Sequence, residues 1–111
     1  MYIVLTQCFP SRIGGIESLV SNLALSIGKN NKVAVFADQQ HIFYDAIYDM
    51  KYQNTILVKR YRGIKYFRRR KKIKDLKIFI ELQKIKCVIA DTWKSLELCI
   101  DYLNEKNIPV L

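Results

Sequence analysis

The chain has few of the residues that build metal sites and disulfide frameworks. Its 111 residues include three cysteines, one histidine and one tryptophan. Cys8, Cys87 and Cys99 form no C-x-x-C pair and have no companion histidines at zinc spacing, so we expect no metal and no disulfide framework. Cys87 and Cys99 stand in apolar patterns and are expected in the core. We also expect no cofactor.

Long hydrophobic runs are missing as well. No apolar segment approaches the roughly 18 to 20 residues of a membrane span. Residues 1–6 lack the basic start, the long apolar stretch and the small-residue cleavage site of a signal peptide. Half of the residues are hydrophobic and 26% are charged, a balance typical of a compact domain. We therefore expect a single domain, residues 1–111, in the cytoplasm.

Acidic residues are nearly absent from one segment. Between Lys59 and Lys77 there are eleven lysines and arginines and a single acid, Asp75, which gives a net charge of +10 over nineteen residues. The other 92 residues carry eight basic and nine acidic groups, a net charge of −1. A basic patch attracts the phosphates of a membrane surface, a nucleic acid or a polyanionic substrate, whereas the simpler interpretation is a solvated helix face. The residues assigned to the patch are Arg68, Arg69, Arg70, Lys71, Lys72, Lys74 and Lys77.

The first third of the chain has the pattern of a βαβ unit. Residues 2–6 form a β-branched run typical of a buried strand, and Gln7–Gly15 has the glycines and proline of a turn. Apolar residues then recur at helical spacing up to Gly28, namely Ile16, Leu19, Val20, Leu23 and Ile27. Lys32–Ala37 follows as a predicted strand, which completes the unit.

The remaining elements extend the same alternation. Asp38–Asn54 is either a short helix or an ordered excursion. Further strands are predicted at Thr55–Tyr61, Cys87–Ala90 and Ile108–Leu111, and helices at Phe67–Lys84 and Lys94–Asn104. Ile73, Leu76 and Ile80 form the core stripe of the longer helix. We therefore predict an α/β fold: a Rossmann-like three-layer domain with a parallel sheet of about five strands, incomplete at the C-terminus.

Ligands of open parallel sheets bind outside the carboxyl ends of the strands. In the loop after the first strand, Gly14 and Gly15 stand directly before a helix, where backbone N–H groups can bind a phosphate. Ser11 and Arg12 add a hydroxyl and a guanidinium that suit a phosphate or a sugar. From composition alone, a plain tight turn is the more common role of two adjacent glycines.

The other polar residues near this edge form no catalytic constellation. Asp38 could bind a sugar hydroxyl, but helix capping or loop hydration explains it as well. Trp93, next to Asp91, could stack on a sugar ring, although a core position is more common for tryptophan. His41 is expected to be packed or exposed. Glu17 in the first helical turn favours the helix dipole.

The glycine segment resembles one known family. The stretch Cys8–Glu17, CFPSRIGGIE, looks like the N-terminal glycine loop and first helix of family 4 glycosyltransferases. The residues that continue the resemblance are Leu19, Asn22, Leu23 and Ala24. These are retaining enzymes with two Rossmann domains, the GT-B fold. Val88–Ser95 is similar to the strand and loop that precede the family's fifth strand, and Ile108–Val110 resembles that fifth strand.

The resemblance implies the acceptor-side domain of a retaining, hexosyltransferase-type enzyme. The loop with Arg12, Gly14 and Gly15 would face the donor diphosphate and the acceptor across an interdomain cleft. Asp91 and Trp93, like Arg12, would lie on the acceptor side, and the acceptor would be a glycan or a lipid-linked molecule. The basic helix would dock on anionic lipid at the inner face of the membrane.

The sequence departs from the family's pattern in two ways. It ends before the histidine that commonly follows the fifth strand. It also lacks the second domain, which binds the nucleotide sugar and carries a paired-glutamate (E-x7-E) motif. We therefore expect no catalytic residue and no turnover in this chain alone, which would be a fragment, a truncated gene product or one half of a split enzyme. Binding of the nucleotide sugar would require the missing domain.

The alternative function is a non-catalytic basic module that binds nucleic acid or another phosphate ligand. The cations of residues 68–72, with Tyr61, Tyr66 and Phe67 nearby, could pair with phosphates and stack on bases. However, the aromatic residues lie at one end of the run only. No helix-turn-helix, zinc or RNA-binding signature is present, so nucleic acid is the less favoured partner.

Overall fold

The computed structural model describes all 111 residues, in which strands and helices alternate. The strands are β1 (Tyr2–Leu5), β2 (Val33–Asp38), β3 (Leu57–Tyr61) and β4 (Cys87–Ala90). The helices are α1 (Gly15–Gly28), α2 (Ile42–Lys51), α3 (Lys65–Leu82), α4 (Trp93–Leu96) and α5 (Ile100–Glu105). All strand pairs are parallel, and their order in the sheet is β3-β2-β1-β4. The chain is thus an α/β domain with a Rossmann-like fold, as predicted.

Alternate residues of β1 separate two apolar cores. Ile3 and Leu5 lie on one face of the sheet and pack in the same cluster as Leu76 of α3. Val4 belongs to the cluster on the opposite face, together with Val20 of α1. Because α3 covers one face of the sheet and α1 the other, Ile3, Val4 and Leu5 are buried on both faces, as is typical of a central parallel strand. The domain therefore has the three layers that the sequence predicts.

The fifth strand is the element that the structure corrects. Within the predicted strand Ile108–Leu111, only Val110 pairs with the sheet, through an isolated parallel bridge to Val88. The Val88 amide donates to the Pro109 carbonyl, and the Leu111 amide donates to the Val88 carbonyl, both at 2.9 Å. The Ala90 amide also donates to the Leu111 carbonyl, at 3.1 Å. The segment contributes an isolated bridge and no full strand, so the sheet has four strands, slightly fewer than the prediction of about five.

The helix predicted over residues 94–104 is divided into α4 and α5. The Cys99 amide donates to the Leu96 carbonyl at 2.8 Å, which closes a tight turn between the two helices. Cys99 has a non-helical backbone and is almost completely buried. The turn thus places the Cys99 thiol in the core, and Cys87 is buried as well, which confirms the core positions expected for both residues. All three cysteines are free thiols.

Helix α1 buries only part of the predicted apolar stripe. Of the predicted apolar stripe, Val20 is buried, while Ile16, Leu19 and Leu23 are 41–71% exposed. The buried face carries small residues instead, Ser21 and Ala24, and it leads to Gly28 at the end of the helix. A Cβ at Gly28 would lie 2.6 Å from the Thr55 carbonyl oxygen. Small side chains therefore let α1 lie close to the segment that leads into β3.

Helix α3 confirms the predicted core stripe. Ile73, Leu76 and Ile80 are all buried, with at most 8% of each residue exposed. The helix extends over eighteen residues, Lys65–Leu82, close to the predicted range. None of the helices combines the length and the apolar character that crossing a bilayer requires.

Candidate functional site at the carboxyl edge of the sheet

The loops after the four strands meet at one edge of the sheet. The chain passes from β1 to β2 and β3 on one side of the sheet. It then returns to form β4 on the other side of β1, where Val110 bridges to Val88. The strand order therefore changes direction between β1 and β4, which is where open α/β sheets bind ligands. Asp91 lies at this point: its two carboxylate oxygens accept hydrogen bonds from the Thr6 and Ser95 hydroxyls, each at 2.9 Å. Asp91 thus ties the β4 loop to the end of β1.

The glycine loop brings Arg12, Gly14 and Glu17 together. Gly14 is the N-cap residue of α1, and a Cβ there would lie 2.6 Å from a carboxylate oxygen of Glu17. The Glu17 side chain is 7% exposed and forms an ion pair with Arg12, in which Arg12 Nε lies 3.1 Å from Glu17 Oε2. Around Gly15, in contrast, an added Cβ would meet no atom within 4 Å. The space beside Gly15 is therefore open, while the Glu17 carboxylate fills the space at Gly14.

The tip of this loop is held by a buried carboxylate on α2. Asp45 is 1% exposed and accepts hydrogen bonds from the Ser11 hydroxyl at 2.6 Å and the Ser11 amide at 3.0 Å. It also accepts from the Gln40 and His41 amides, at 2.7 and 3.1 Å. Burial raises the pKa of Asp45, but these hydrogen bonds outweigh burial and hold the pKa below its usual value.

Sequence reasoning missed this role of Asp45. An acidic residue in the first turn of a helix is the pattern that could have indicated it. Because the sequence of Asp38–Asn54 is compatible with either a helix or an ordered excursion, Asp45 could not be assigned to a helix start. His41 is the N-cap residue of α2, where its Nδ1 accepts from the Tyr44 amide at 3.2 Å. The only histidine of the chain thus caps a helix.

A second buried charge cluster lies at the end of β2. Lys72 Nζ is 2.6 Å from Asp38 Oδ1 and donates to the Thr6 carbonyl at 3.0 Å. Arg68 Nε is 3.3 Å from the other oxygen of Asp38. Burial lowers the pKa of Lys72, and the Asp38 carboxylate opposes that shift. Asp38 therefore serves as a partner for α3 and joins that helix to the edge of the sheet.

The basic segment divides into inward and outward side chains. Lys72 is only 6% exposed and is paired with Asp38, so it adds no charge to the surface. The prediction that Lys72 belongs to the basic patch is therefore wrong. The Arg60 side chain of β3 is only 9% exposed and is bound to Asp49 at 2.8 and 3.1 Å. Arg68 and Arg69 are partly buried. The exposed members of the predicted patch are Arg70, Lys71, Lys74 and Lys77.

Exposed apolar side chains border these cations. Ile64, Tyr66 and Phe67, at the start of α3, are 60–72% exposed, and Trp93 is 62% exposed at the start of α4. Arg70 donates to the Tyr66 hydroxyl at 2.8 Å and lies over its ring. The carboxyl edge therefore combines positive charge with apolar side chains on the α3 side.

The structure places no cluster of three histidine, cysteine, aspartate or glutamate side chains where it could hold a metal ion. No protein-family model, curated protein or solved structure matches the chain. The function is therefore inferred from the residues and the fold themselves.

Proposed function

We propose that this chain is the acceptor-side domain of a retaining family 4 glycosyltransferase. The observation that carries the proposal is the placement of the segment Cys8–Glu17, which resembles the family's glycine loop. This segment follows the central strand of a parallel sheet and opens α1, with Gly14 at the N-cap position. In the family that it resembles, the same loop faces the donor diphosphate and the acceptor.

The geometry of the loop is compatible with an anionic or sugar ligand. The Arg12 side chain is 59% exposed, and its pair with Glu17 leaves guanidinium N–H groups free to donate. The open space at Gly15 allows a phosphate or hydroxyl to approach the helix N-terminus. Trp93 offers an exposed aromatic ring at the neighbouring loop. Asp91, which is bonded to Thr6 and Ser95, positions that loop.

The α3 surface supports docking on an anionic membrane as the second part of this proposal. Exposed Arg70, Lys71, Lys74 and Lys77 supply positive charge, and exposed Tyr66 and Phe67 supply side chains that can enter the headgroup region. Each basic residue near an anionic bilayer contributes about 1 kcal/mol. Such docking would bring the carboxyl edge close to a lipid-linked acceptor.

Glycosyl transfer is tested by supplying a second domain. The coding region after codon 111 and its neighbouring genes are searched for a second Rossmann-like domain with an E-x7-E motif, which is then produced with this chain. We expect transfer of labelled sugar from a nucleotide sugar to membrane extract only when both parts are present. Arg12→Ala should reduce transfer, while Lys29→Ala, at the other end of α1, should not. Transfer by this chain alone would contradict its dependence on a second domain, and the absence of transfer by the pair would contradict the glycosyltransferase assignment.

Membrane docking is tested by reversing the exposed charges. The triple variant Arg70→Glu, Lys71→Glu, Lys74→Glu should lose binding to vesicles that contain phosphatidylglycerol and keep its circular dichroism spectrum. The matched control reverses Lys29, Lys32 and Lys51, which are exposed outside α3. An oligonucleotide at the same ionic strength is the competing ligand, because both interactions weaken with salt. Stronger binding to the oligonucleotide than to the vesicles would favour the nucleic-acid alternative.

A further inference from the structure

Arg69 differs from the other cations of α3. Its side chain is 19% exposed, and Nη1 lies 3.4 Å from Oε1 of Glu97. The Nε and Nη2 atoms are buried and have no hydrogen-bond acceptor among the protein's groups. A guanidinium has five N–H donors, and buried donors that lack an acceptor are unfavourable. Arg69 is therefore the cation of α3 whose donors are least satisfied by protein acceptors.

The side chain of Arg69 lies in the wall of a surface cavity of about 550 Å³. The other lining residues are two cations and three apolar side chains, namely Lys65, Arg70, Ile64, Tyr66 and Leu98. Lys65 and Arg69 are four residues apart on α3, so their charges lie on one helix face and repel each other. An anion between them would remove that repulsion. The volume is within the range of small-molecule binding sites, about 300 to 1,000 Å³.

Arg69 also borders the crevice between the ends of β1 and β4. On this side it shares a space of about 20 Å³ with Gln7, Lys94 and Ser95. Ser95 is the residue that donates to Asp91, and Lys94 is exposed. The guanidinium thus stands between the outer cavity and the point where the strand order changes direction.

We propose that Arg69 binds the phosphate group of an amphiphilic phosphate ester. A guanidinium can hold a phosphate through two parallel N–H···O bonds, and Lys65 and Arg70 offset the remaining negative charge. The apolar chain of the ester lies against Ile64, Tyr66 and Leu98. Nε and Nη2 are enclosed, so the phosphate meets the guanidinium first at Nη1, where the contact with Glu97 is long at 3.4 Å, and a small rotation of the side chain turns a second nitrogen towards it. This inference does not depend on the glycosyltransferase assignment.

The first experiment compares inorganic phosphate with hexyl phosphate by calorimetry at fixed ionic strength. We expect hexyl phosphate to bind roughly tenfold more tightly, because burial of its methylene groups is favourable. Arg69→Gln should weaken both ligands by roughly tenfold or more. Arg62→Gln is the matched control, since it removes the same charge from an exposed arginine outside the cavity. The proposal is overturned if Arg69→Gln and Arg62→Gln weaken binding equally. It is also overturned if hexyl phosphate does not bind and Arg69→Gln causes no specific loss of vesicle binding.

Two further measurements separate the parts of the site and the source of the phosphate. Leu98→Asn, at a half-exposed position, should weaken the binding of hexyl phosphate and leave the binding of inorganic phosphate unchanged. An equal effect on both ligands would contradict the apolar contact.

Vesicles of phosphatidylcholine with and without phosphatidic acid test whether the ligand is a lipid headgroup. A loss of vesicle binding in Arg69→Gln but not in Arg62→Gln supports a lipid headgroup as the ligand, whereas an Arg69-dependent heat with hexyl phosphate alone supports a soluble ester.

Discussion

Lys72 and Asp38 form a buried ion pair at the carboxyl edge of the sheet, with Nζ 2.6 Å from Oδ1. The Lys72 side chain is 7% exposed and that of Asp38 is 11% exposed. The pair links the middle of α3 to the end of β2, and Lys72 also donates to the carbonyl of Thr6 at the end of β1. One lysine of the basic segment thus holds the helix against two strands.

Removing one partner of this pair should destabilise the folded domain. Asp38→Asn leaves the Lys72 charge buried without its carboxylate, so we expect the free energy of unfolding to fall by about 3 kcal/mol in urea denaturation. Asp101→Asn, at an exposed position, is the control and should change little. The double variant Asp38→Leu, Lys72→Met should regain much of the loss. Equal stability of Asp38→Asn and the parent protein would show that the pair contributes nothing.

The stability of the domain should decrease in acid through Asp45. Hydrogen bonds hold the folded-state pKa of Asp45 below its unfolded value, so its contribution is present at neutral pH and is lost as the pH falls through the folded-state pKa. Asp45→Asn should lower the free energy of unfolding at pH 7 by about 2 kcal/mol and make it less dependent on pH below about 4. Urea titrations from pH 7 to pH 3 measure both effects. An unchanged acid slope in the variant would contradict this role.

The two adjacent glycines should differ in their tolerance of alanine. In Gly14→Ala the new Cβ would lie 2.6 Å from the Glu17 carboxylate, so the buried side chain and its pair with Arg12 must move. In Gly15→Ala the Cβ meets nothing within 4 Å. We expect Gly14→Ala to destabilise by about 1 kcal/mol. Gly15→Ala should be neutral or stabilising by up to about 1 kcal/mol, because alanine favours the helix.

Thermal unfolding of the two glycine variants under the same conditions measures the difference. The double variant Gly14→Ala, Glu17→Ala shows whether the contact with Glu17 is the cause, since it removes the carboxylate that the new methyl group would meet. If Gly14→Ala is no less stable than Gly15→Ala, the Glu17 side chain is free to move and the close contact has no consequence.

The three thiols should react with alkylating reagents in a defined order. Burial raises the pKa of Cys99 to about 11, and Cys87 is buried as well. Cys8 is only partly buried, although burial raises its pKa too. Because the thiolate is the reactive form and access is required, iodoacetamide at pH 8 should modify Cys8 first and the other two only after unfolding. Peptide mass spectrometry identifies the modified residue, and early labelling of Cys99 in the folded protein would contradict its core position.

Local patterns in the sequence determined the order of the elements. The β-branched runs predicted β1, β2 and β4, and the apolar spacing of Ile73, Leu76 and Ile80 predicted the buried face of α3. These predictions succeed because backbone propensity and hydrophobic periodicity act over a few residues. The charge of the α3 segment could also be read directly from the sequence.

Only the tertiary structure decided which side chains of a pattern turn inward. The apolar spacing of α1 predicted burial of Leu19 and Leu23, yet the close approach of the helix selected the small side chains of Ser21 and Ala24 instead. From the composition of α3, Lys72 and Arg70 were both predicted to belong to the basic patch. In the structure Lys72 pairs instead with Asp38 of β2, more than thirty residues earlier in the chain. Asp45 likewise collects donors from the glycine loop and from the segment before α2. Burial and pairing of charges depend on contacts between distant segments, which periodicity along the chain does not encode.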